Sequence, residues 1–578
     1  MRRGRSSKRP WPWAWRGRTA PRRSLCSSSS SAARSALGGE EAMKTVLRLP
    51  NWVGDTLLAL PAIRRLGECE GPLLLAGRSV PLELARRVCP GAECLQLAES
   101  SADLAAWRHD LRALRRARAE RGILLAPSLS SALWLRLGGV PQRWGWPTQR
   151  RGFLLTHPQP RGGGHLVAQF SRLVAAARAD HAKPLELAPP DRARPWLPLD
   201  AERRTRARGF LEEAGLGAEG HAWVALCPGV RYGSAKRWPL ERFAWLARAL
   251  AREGVGGLVV GAAGERTLGE QICYAAGAEA AGGAVWRNAC GAGDLLHAAG
   301  LLRAAPAAVC NDTGTLHLAA AVGTPVVALF GPTDPRWTGP WGRAHRILHH
   351  DFPCAPCLRR HCPFADPAPC MASIGVGEVL RALRDAMLER PAVRATAAWH
   401  PAVLLDRDGT LIEHEPYLHD PARVRLTPGS GAALRRVQAA GYLVAVVTNQ
   451  SGLARRIFDR RALEQVHARL RQLLGLEGVA LDGIYVCPHH PDFTGPCDCR
   501  KPAAGLIEQA LTELGVDRRR ALLIGDTIED LQAGRAAEIA TSLVRTGHGA
   551  AQLRQPRGAL PRGVTVHENL AAALRERL

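Results

Sequence analysis

Long hydrophobic runs are missing from the 578-residue sequence. The best candidate for a membrane span, residues 122–140, is interrupted by Pro127, Arg136 and several serines, whereas a spanning helix needs about 20 predominantly apolar residues. Basic stretches interleaved with aromatic residues do not recur beyond residue 42, which argues against nucleic-acid binding. Fifteen cysteines in a chain of this length do not make a disulfide scaffold. These absences predict a globular protein of the reducing cytoplasm.

Acidic residues are scarce relative to basic ones: 52 Asp and Glu stand against 78 Lys and Arg, giving a net charge of +26. Residues 1–42 hold ten basic and two acidic residues, or +8, so the remainder carries +18. We interpret this Arg- and Ser-rich segment as a disordered basic extension; a transit-peptide-like leader and an unused upstream start are the alternatives. The charge of the remainder favours phosphate-rich substrates or peripheral contact with lipid headgroups.

Two aspartates follow an apolar run at residues 402–404 that has the composition of a buried parallel strand. Asp406 and Asp408 therefore lie at the carboxyl end of a strand, where open α/β sheets bind their ligands. Two carboxylates at this spacing can share Mg²⁺ and divide the work of phosphoryl transfer. We predict that Asp406 attacks phosphorus and that Asp408 protonates the leaving oxygen and then activates water. A solvated Asp/Gly loop is the alternative.

Three further segments downstream complete a phosphate site. Thr448 ends an apolar strand and, with Asn449 and the neighbouring backbone N–H groups, can bind phosphate oxygens. Lys501 supplies a cation that screens the nucleophile and the phosphoryl group. Another apolar strand ends in Asp526, which we predict to bind Mg²⁺, with Asp530 supporting it. The predicted magnesium ligands are Asp406, Asp408 and Asp526.

Cysteine and histidine cluster between the second and third of these motifs. Cys-x-His followed after seven residues by Cys-x-Cys gives three thiolates and one imidazole, a closed set for a structural Zn²⁺ ion. The set lies immediately before Lys501, so a bound ion would fix the loop that presents this lysine. Unliganded loop cysteines are the alternative. The predicted zinc ligands are Cys487, His489, Cys497 and Cys499.

Taken in order, the motifs of residues 401–548 resemble the haloacid dehalogenase superfamily and, within it, the heptose 1,7-bisphosphate phosphatases. Histidinol phosphatases share the zinc loop and most of the motifs. The Tyr-x-His stretch at 417–419 and the Thr-Asn-Gln-Ser-Gly stretch at 448–452 favour the heptose branch. The resemblance implies removal of the C7 phosphate of D-glycero-D-manno-heptose 1,7-bisphosphate through a phospho-aspartyl intermediate on Asp406, with Arg500 contacting the substrate.

A strand and helix open the chain after the basic extension. Residues 45–49 have the pattern of a strand, and residues 50–56 that of its turn into a helix. Asp55 is therefore expected near a helix N-terminus at the carboxyl edge of a sheet. An N-cap is the more ordinary role for a single aspartate in such a turn. Apolar runs at 73–76 and 122–126 alternate with helical stretches, which is typical of a doubly wound parallel sheet.

A second α/β unit opens near residue 223. Its apolar strand at 307–310 leads into Asn-Asp-Thr-Gly-Thr at 311–315, the start of a helix of small residues. Such a helix start presents unpaired N–H groups and a positive dipole end, which suits a diphosphate. Lys236, in a neighbouring loop, can add a point charge on the phosphates. An ordinary capped helix is the alternative.

These segments, together with residues 324–335, resemble the lipopolysaccharide heptosyltransferases of glycosyltransferase family 9, in particular heptosyltransferase II, over residues 43–390. The resemblance implies the GT-B architecture, in which two Rossmann-like domains face each other across a cleft. The first domain would bind the lipopolysaccharide inner-core acceptor and the second ADP-heptose, with Asp55 as general base of a metal-free inverting transfer. The donor-binding residues that it implies are Lys236, Glu265, Asp312, Thr313, Gly314, Thr315 and His317.

A second group of cysteines lies within seventeen residues near the end of this region. Their spacing is Cys-x-x-Cys, then four and seven intervening residues, which matches no standard zinc ribbon. Four thiolates so close in sequence are candidate ligands of a zinc ion or of an iron–sulfur cluster; cysteines without metal are the alternative. The candidate ligands are Cys354, Cys357, Cys362 and Cys370.

The sequence thus predicts an α/β enzyme with two activities in the heptose metabolism of the lipopolysaccharide inner core, located in the cytoplasm or peripherally at the inner membrane. Another sugar transferase joined to a histidinol-phosphate-type phosphatase is the enzymatic alternative. A basic scaffold at a membrane surface, with degenerate sites, is the non-enzymatic one. The predicted segments are the extension at 1–42, an acceptor domain at 43–210, a donor domain at 211–390, a linker at 391–400 and a phosphatase domain at 401–578.

Overall fold

The computed structural model of the protein describes residues 43–577, apart from 70, 100–102, 179–187, 217–221, 232, 279, 281–282, 343, 389–399, 515 and 555–562. The predicted extension at 1–42 and the predicted linker up to residue 399 lie outside the described residues. His400, the last residue of that predicted linker, is instead the first residue of a buried strand. No helix in the described part of the chain has both the length and the apolar character that crossing a membrane requires.

The first unit is a six-stranded sheet flanked by helices. Its strands are β1 (Thr45–Arg48), β2 (Leu73–Gly77), β3 (Glu93–Gln96), β4 (Arg121–Leu124), β5 (Gln142–Gly145) and β6 (His157–Pro158). Its helices are α1 (Val53–Cys69), α2 (Ser79–Val88), α3 (Leu104–Ala117), α4 (Leu129–Leu137) and α5 (Leu166–Ala177), and the helix that follows them, α6 (Ala201–Glu213), packs against residues 295–304 of the second unit. The four residues of β1 are all buried, as expected of a strand covered by helices on both faces.

The second unit repeats this arrangement. Its strands are β7 (Trp223–Cys227), β8 (Gly256–Val259), β9 (Trp286–Asn288), β10 (Ala308–Asn311), β11 (Val326–Phe330) and β12 (Arg346–His349). Its helices are α7 (Leu240–Arg252), α8 (Arg266–Gly277), α9 (Leu295–Ala304), α10 (Gly314–Ala321), α11 (Pro335–Thr338), α12 (Pro369–Ala372) and α13 (Val376–Leu388). One continuous cluster of buried apolar side chains joins the first unit to the second.

The third unit is again a six-stranded sheet. Its strands are β13 (His400–Leu405), β14 (Leu443–Asn449), β15 (Gly483–Cys487), β16 (Val516–Gly525), β17 (Ala540–Val544) and β18 (Thr565–His567). Its helices are α14 (Ser430–Ala439), α15 (Arg460–Leu476), α16 (Pro491–Thr494), α17 (Gly505–Leu514), α18 (Ile528–Ala536), α19 (Gly549–Gln552) and α20 (Leu570–Arg577). Two apolar clusters cover its two faces.

All three sheets share one strand order. The orders are β3-β2-β1-β4-β5-β6, β12-β11-β10-β7-β8-β9 and β15-β14-β13-β16-β17-β18, and the neighbouring strands are parallel. Each sheet therefore reverses its direction of winding between its first and fourth strands, which is the doubly wound Rossmann pattern. The predicted fold class, two Rossmann-like domains of GT-B type followed by a Rossmannoid haloacid-dehalogenase-like domain, is confirmed.

The third unit packs against the second through its amino-terminal edge. Asp482, fully buried just before β15, accepts hydrogen bonds from the N–H of Gly377 in α13 and from the N–H of Val444 in β14, both at 2.8 Å. Glu253, after α7, pairs with Arg384 at 2.6 Å and with His400 at 3.2 Å. The two units are therefore joined by buried polar contacts as well as by the chain itself.

Arg242 makes the widest of these connections. Its buried guanidinium donates to the carbonyl of Ala372, to that of Ile374 at 2.7 Å and to that of Gly478 in the third unit at 3.1 Å. Burial lowers the pKa of Arg242 to about 10, and Asp482 is the nearest source of compensating negative charge. The side chain is charged at neutral pH, and its burial is offset by these carbonyls.

We expect Arg242→Met to leave the carbonyls of Ala372 and Gly478 without this donor, whereas that of Ile374 keeps the indole N–H of Trp238, and to lower the unfolding midpoint temperature by about 5 °C or more. Differential scanning calorimetry of the full chain measures this. Arg208→Met, at an exposed position of α6, is the matched control and should unfold like the unaltered protein. Equal midpoints for the two variants would show that Arg242 does not stabilise the contact between the units.

Candidate active sites

The third unit gathers three carboxylates and one lysine at the carboxyl ends of neighbouring strands. Asp406 follows β13 and Asp526 follows β16, and these strands pair through Leu405 and Ile524. Oxygen atoms of Asp406, Asp526 and Asp530 lie within 4.8 Å of one another. Lys501 Nζ lies 2.5 Å from a carboxylate oxygen of Asp406 and 2.5 Å from one of Asp530. The side chains that the sequence placed at separate strand ends therefore form one buried site.

The charges of this site do not balance within the chain. Three carboxylates and one ammonium leave a charge of −2, and burial raises the pKa of Asp406 to about 7 and that of Asp526 to about 8. Burial disfavours charged Lys501, but Asp406 and Asp530 outweigh it and raise its pKa. One buried oxygen of Asp526 has no hydrogen-bond partner among the described residues. The group therefore fits a divalent cation in charge and in donor type.

Asp408, a predicted magnesium ligand, has a carboxylate that other side chains hold. Its carboxylate is held by the guanidinium of Arg407 at 2.9 Å and by the side-chain amide of Gln450 at 2.8 Å, and it does not belong to the group of three carboxylates. The physical reason is that Arg407, only 1% exposed, needs a counter-ion and finds it in the adjacent residue. Asp530 supplies the third carboxylate of that group, and magnesium binding by Asp408 stays a prediction. No sequence pattern marked Arg407 or Gln450 as part of the site.

Asn449, a predicted phosphate ligand, has its side-chain amide on the backbone of Lys501, and phosphate binding by it stays a prediction. Its side-chain amide donates to the backbone carbonyl of Lys501 and accepts from the backbone N–H of Lys501, both at 3.1 Å. Both ends of the amide are thus used to position the lysine. Thr448, buried at the end of β14, keeps its hydroxyl close to Gln450 at 3.0 Å. Arg500 donates to the carbonyl of His489 at 3.2 Å, so part of its guanidinium braces the loop.

The predicted zinc set is brought together as one group. The Sγ atom of Cys499 lies 3.2 Å from that of Cys487, 3.5 Å from that of Cys497 and 3.2 Å from Nδ1 of His489. All four ligand atoms lie within 4.8 Å of one another. Three sulfurs and one imidazole nitrogen at these separations fit a single tetrahedral ion. The group directly precedes Lys501, as the sequence indicated.

The other four cysteines are not brought together in this way. Among the described residues, the groups whose ligand atoms share a metal-sized space are the two given above. Cys354 is exposed, Cys357 and Cys362 are half-buried, and Cys370 is buried. Burial, followed by the charges of the other three cysteines, raises the pKa of Cys370 to about 12. Metal binding by this cluster therefore stays a prediction.

The first and second units meet at a cleft that contains Asp55. Asp55 lies in the first turn of α1, directly after β1. Burial and Asp312 raise its pKa to about 6, against the opposing influence of Arg161 and Lys236. Asp312 and Lys236 belong to the second unit, so the carboxylate of Asp55 faces across the cleft. Arg161, which no motif marked, follows β6 and lies over the ring of Trp146 at 5.3 Å.

Opposite Asp55 lies the predicted donor-binding group. Lys236 Nζ is 2.5 Å from a carboxylate oxygen of Asp312, which also accepts from the hydroxyl of Thr333 at 2.7 Å. Thr313 precedes α10 without capping it, and its buried hydroxyl has no partner among the described residues. The N–H groups at the start of α10, in Gly314 and Thr315, are therefore not taken by a side-chain cap.

His317 brings the two units into contact. A Cβ atom at Gly54 would lie 2.9 Å from Cδ2 of the His317 ring, so only glycine leaves room for this approach. Burial lowers the pKa of His317 to about 4, and its Nδ1 atom has no partner among the described residues. The imidazole is therefore neutral and can serve a ligand as donor or acceptor.

Glu265 lies at the carboxyl ends of β7 and β8. Its carboxylate accepts from the N–H of Ala262 at 2.8 Å. A Cβ at Gly229 would lie 2.1 Å from the same carboxylate, and one at Gly261 would lie 2.5 Å from it. The two glycines thus make room for Glu265 at the carboxyl edge of the second sheet, the edge at which such sheets bind nucleotides.

The fold and these two sites define a two-domain glycosyltransferase joined to a phosphatase of the haloacid dehalogenase type. The glycosyltransferase family 9 (heptosyltransferase) model matches residues 107–367, and a HAD-hydrolase-like model matches residues 498–573. The chain is 44% identical over 152 residues to D-glycero-beta-D-manno-heptose-1,7-bisphosphate 7-phosphatase of Haemophilus ducreyi, covering 25% of this chain and 84% of that protein. The chain belongs to this phosphatase family through its third unit, and it carries a glycosyltransferase family 9 domain ahead of it.

Further proteins are similar to one part of the chain each. The enzyme of the same name from Pseudomonas aeruginosa is 41% identical over 171 residues, 29% of this chain and 93% of that protein. Among solved structures, the E. coli ADP-heptose lipopolysaccharide heptosyltransferase II is 25% identical in sequence. The superposition covers 60% of this chain and 99% of that chain, with a TM-score of 0.48. The B. bronchiseptica D,D-heptose 1,7-bisphosphate phosphatase, complexed with magnesium and phosphate, is 36% identical in sequence. The superposition covers 31% of this chain and 97% of that chain, with a TM-score of 0.29.

Proposed function

We propose that this bifunctional enzyme transfers heptose from ADP-heptose to the lipopolysaccharide inner core and, at a separate site, removes the C7 phosphate of D-glycero-D-manno-heptose 1,7-bisphosphate. The observation that carries the proposal is the placement of Lys501 between Asp406 and Asp530 at 2.5 Å. The ammonium group of Lys501 thus fixes the orientation of the buried carboxylate of Asp406 at the end of its strand. The names of the relatives supply the choice of heptose as the sugar.

In the phosphatase, Asp406 is the nucleophile that forms a phospho-aspartyl intermediate. Asp408 in its protonated form donates a proton to the leaving oxygen. As the carboxylate that Arg407 and Gln450 orient, it then accepts a proton from the water that hydrolyses the intermediate and releases phosphate. Thr448 and Lys501 bind phosphate oxygens, and Arg500 contacts the remainder of the substrate. Mg²⁺ held by Asp406 and Asp526 would neutralise charge on the phosphoryl group.

In the transferase, Asp55 removes the proton from the acceptor hydroxyl. The start of α10, with Thr313, Gly314 and Thr315, binds the diphosphate of the donor, and Lys236 adds a point charge. His317 and Asp312 lie beside the sugar and its phosphates. Glu265 hydrogen-bonds the ribose, and the absence of side chains at Gly229 and Gly261 leaves room for its carboxylate.

We take the three units to be the functional domains predicted from the sequence, at 43–210, 211–390 and 401–578. Zn²⁺ in the Cys487, His489, Cys497 and Cys499 group has a structural role, because it closes the loop that presents Lys501. The described cysteines form no disulfide, which suits a reducing cytoplasm. The charge of +18 outside the first 42 residues favours contact with the anionic inner-membrane surface.

Asp406→Asn should lower phosphate release from heptose bisphosphate by roughly 10³-fold or more, because an amide cannot act as the nucleophile. Heptose transfer by the same variant should be unchanged.

Asp55→Ala should lower heptose transfer by roughly 10²- to 10⁴-fold, because the general base is lost, and should spare the phosphatase. Both activities are measured on the full chain by phosphate release and by ADP release.

The substrates used in these assays separate the proposal from its alternative. Heptose 1,7-bisphosphate should turn over faster than histidinol phosphate, and faster release from histidinol phosphate would assign the phosphatase to the other branch. Loss of both activities in either single variant would contradict the presence of two separate sites.

On the acidic limb of its pH profile, transferase activity should be half-maximal at about pH 6, the raised pKa of Asp55. Asp55 acts in its deprotonated form, so kcat/KM for the acceptor should fall as the pH drops through this value. Arg161→Met removes a cation that lowers the pKa of Asp55 and should move the limb to higher pH. Arg172→Met is the matched control and should leave it in place. A limb near pH 4, the ordinary value for aspartate, would contradict the assignment.

The purified chain should contain about one Zn²⁺ held by the Cys/His group, and Cys499→Ser should release it. Mass-spectrometric metal analysis measures the zinc, and phosphatase activity should fall with it because the Lys501 loop is loosened. Cys94→Ser, at an exposed cysteine of the first unit, is the matched control. Zinc retained at full stoichiometry in Cys499→Ser would refute the site, and zinc lost in Cys362→Ser would assign an ion to the other cluster.

A further inference from the structure

The first unit contains a second cavity, of about 70 Å³, that the transferase mechanism above does not use. Its walls come from the segments that follow four adjacent parallel strands. Arg48 is the last residue of β1, and Asn51 follows it. Arg78 follows β2, Ala98 follows β3, and Trp134 belongs to the helix after β4. The cavity therefore lies at the carboxyl edge of the sheet, the edge at which such folds bind ligands.

The charged groups of this cavity are unequal in number. Arg48, 8% exposed, donates one hydrogen bond to the carbonyl of Leu49 and another, of 2.7 Å, to the side-chain oxygen of Asn51. In the described part of the chain, the guanidinium of Arg78 has neither a hydrogen bond nor an ion pair. Asp110 is the single carboxylate in the wall, and it accepts from the N–H of Ala98 at 2.9 Å. Two guanidinium groups against one carboxylate leave one positive charge.

Burial and repulsion by Arg78 lower the pKa of Arg48 to about 10, although Asp110 opposes this change. Arg48 stays protonated at neutral pH, so its charge is held in the cavity wall beside the guanidinium of Arg78 at a cost in free energy. An anion placed between them would remove that cost.

Trp134 supplies an independent observation. The residue is 3% exposed, and its indole N–H has no acceptor among the described residues. A buried donor without an acceptor is rare and costly, whereas the indole N–H of Trp238 finds the carbonyl of Ile374 at 3.0 Å. An oxygen atom of a ligand in the cavity would supply the missing acceptor.

We propose that this cavity binds an anionic group, a carboxylate or a phosphate, of the acceptor saccharide. The inference rests on the proposed transferase function and adds to it the part of the acceptor that is recognised. The turn between β1 and α1 supplies Asn51 to the cavity and, four residues later, Asp55 to the cleft. An acceptor anchored by its anion is thereby held next to the general base. Trp107 in the same wall offers an apolar face to a sugar ring.

Arg78→Gln tests this assignment with little risk to folding, because the side chain is half-buried and unpaired. With ADP-heptose saturating, the KM for the lipopolysaccharide core acceptor should rise roughly tenfold or more, the effect of losing one charge-assisted hydrogen bond. The KM for ADP-heptose and the kcat should stay unchanged, because only acceptor binding is weakened. Arg112→Gln, at an exposed position of α3, is the matched control. Trp134→Phe, which removes only the indole N–H, should raise the acceptor KM by a smaller factor.

Two chemically altered acceptors identify the anion. A core oligosaccharide with its carboxyl groups reduced and one with its phosphates removed are compared with the native core. The group is identified by the acceptor whose modification raises the KM of the wild-type enzyme. With that acceptor, the wild-type enzyme and Arg78→Gln should have the same KM. An acceptor KM in Arg78→Gln equal to that of the unaltered enzyme would overturn the cavity assignment alone. Failure of the unaltered enzyme to transfer heptose at all would overturn the proposed function, and this inference with it.

Discussion

Each of the three sheets reverses its winding between its first and fourth strands, and this constraint of strand order decides where the chemistry is placed. Helices that leave the two strands on opposite faces open a crevice at their carboxyl ends. Asp55 follows the first strand of its sheet and Asp312 the fourth strand of the next. Asp406 and Asp526 occupy the same two positions in the third sheet. Both active sites are thus built on the crevice that one topology creates.

The crevices differ in how they balance buried charge. In the phosphatase, three carboxylates meet one lysine, and the charge of −2 calls for a divalent cation. In the transferase cleft, Asp55 and Asp312 meet Lys236 and Arg161, so charges of −2 and +2 cancel. The uncapped start of α10 adds the dipole that the proposed mechanism assigns to the phosphates of the donor. In that proposal the same fold serves one reaction that depends on a cation and another that uses a helix end.

The sequence predicted the strands and their terminal residues well, because buried parallel strands are short apolar runs and the residues that follow them are polar. Asp406, Lys501 and Asp526 meet in one group although they span 120 residues, because Asp406 and Asp526 follow neighbouring strands and the loop after β15 brings Lys501 to them. Contacts that depend on side-chain direction could not be predicted in this way. The amide of Asn449 can face phosphate or backbone equally well by its chemistry.

Asp408 and the two cysteine groups show the same limit. Spacing placed Asp408 two residues from the nucleophile, but the partner that fixes its carboxylate, Gln450, comes from another strand. Both cysteine groups had ligand-like spacing, yet only the group that includes Cys499 brings its sulfurs within coordinating distance. The difference lies in loop geometry: the two halves of that group approach from β15 and from the turn before Lys501. No distance along the sequence reports that approach.

The contact between the second and third units explains how two enzymes can share one chain without interfering. His400 begins β13, Gly441 precedes β14 and Asp482 precedes β15, and all three touch the transferase: His400 pairs with Glu253, and Gly441 lies against Trp245. The contact therefore uses the amino ends of the third sheet, whereas Asp406 and Asp526 lie at its carboxyl ends. Substrate entry to the phosphatase stays clear of the contact. The phosphatase site lies at the opposite end of that sheet from the contact. The arrangement therefore favours joint stability and fixed stoichiometry over direct transfer of a product between the two active sites.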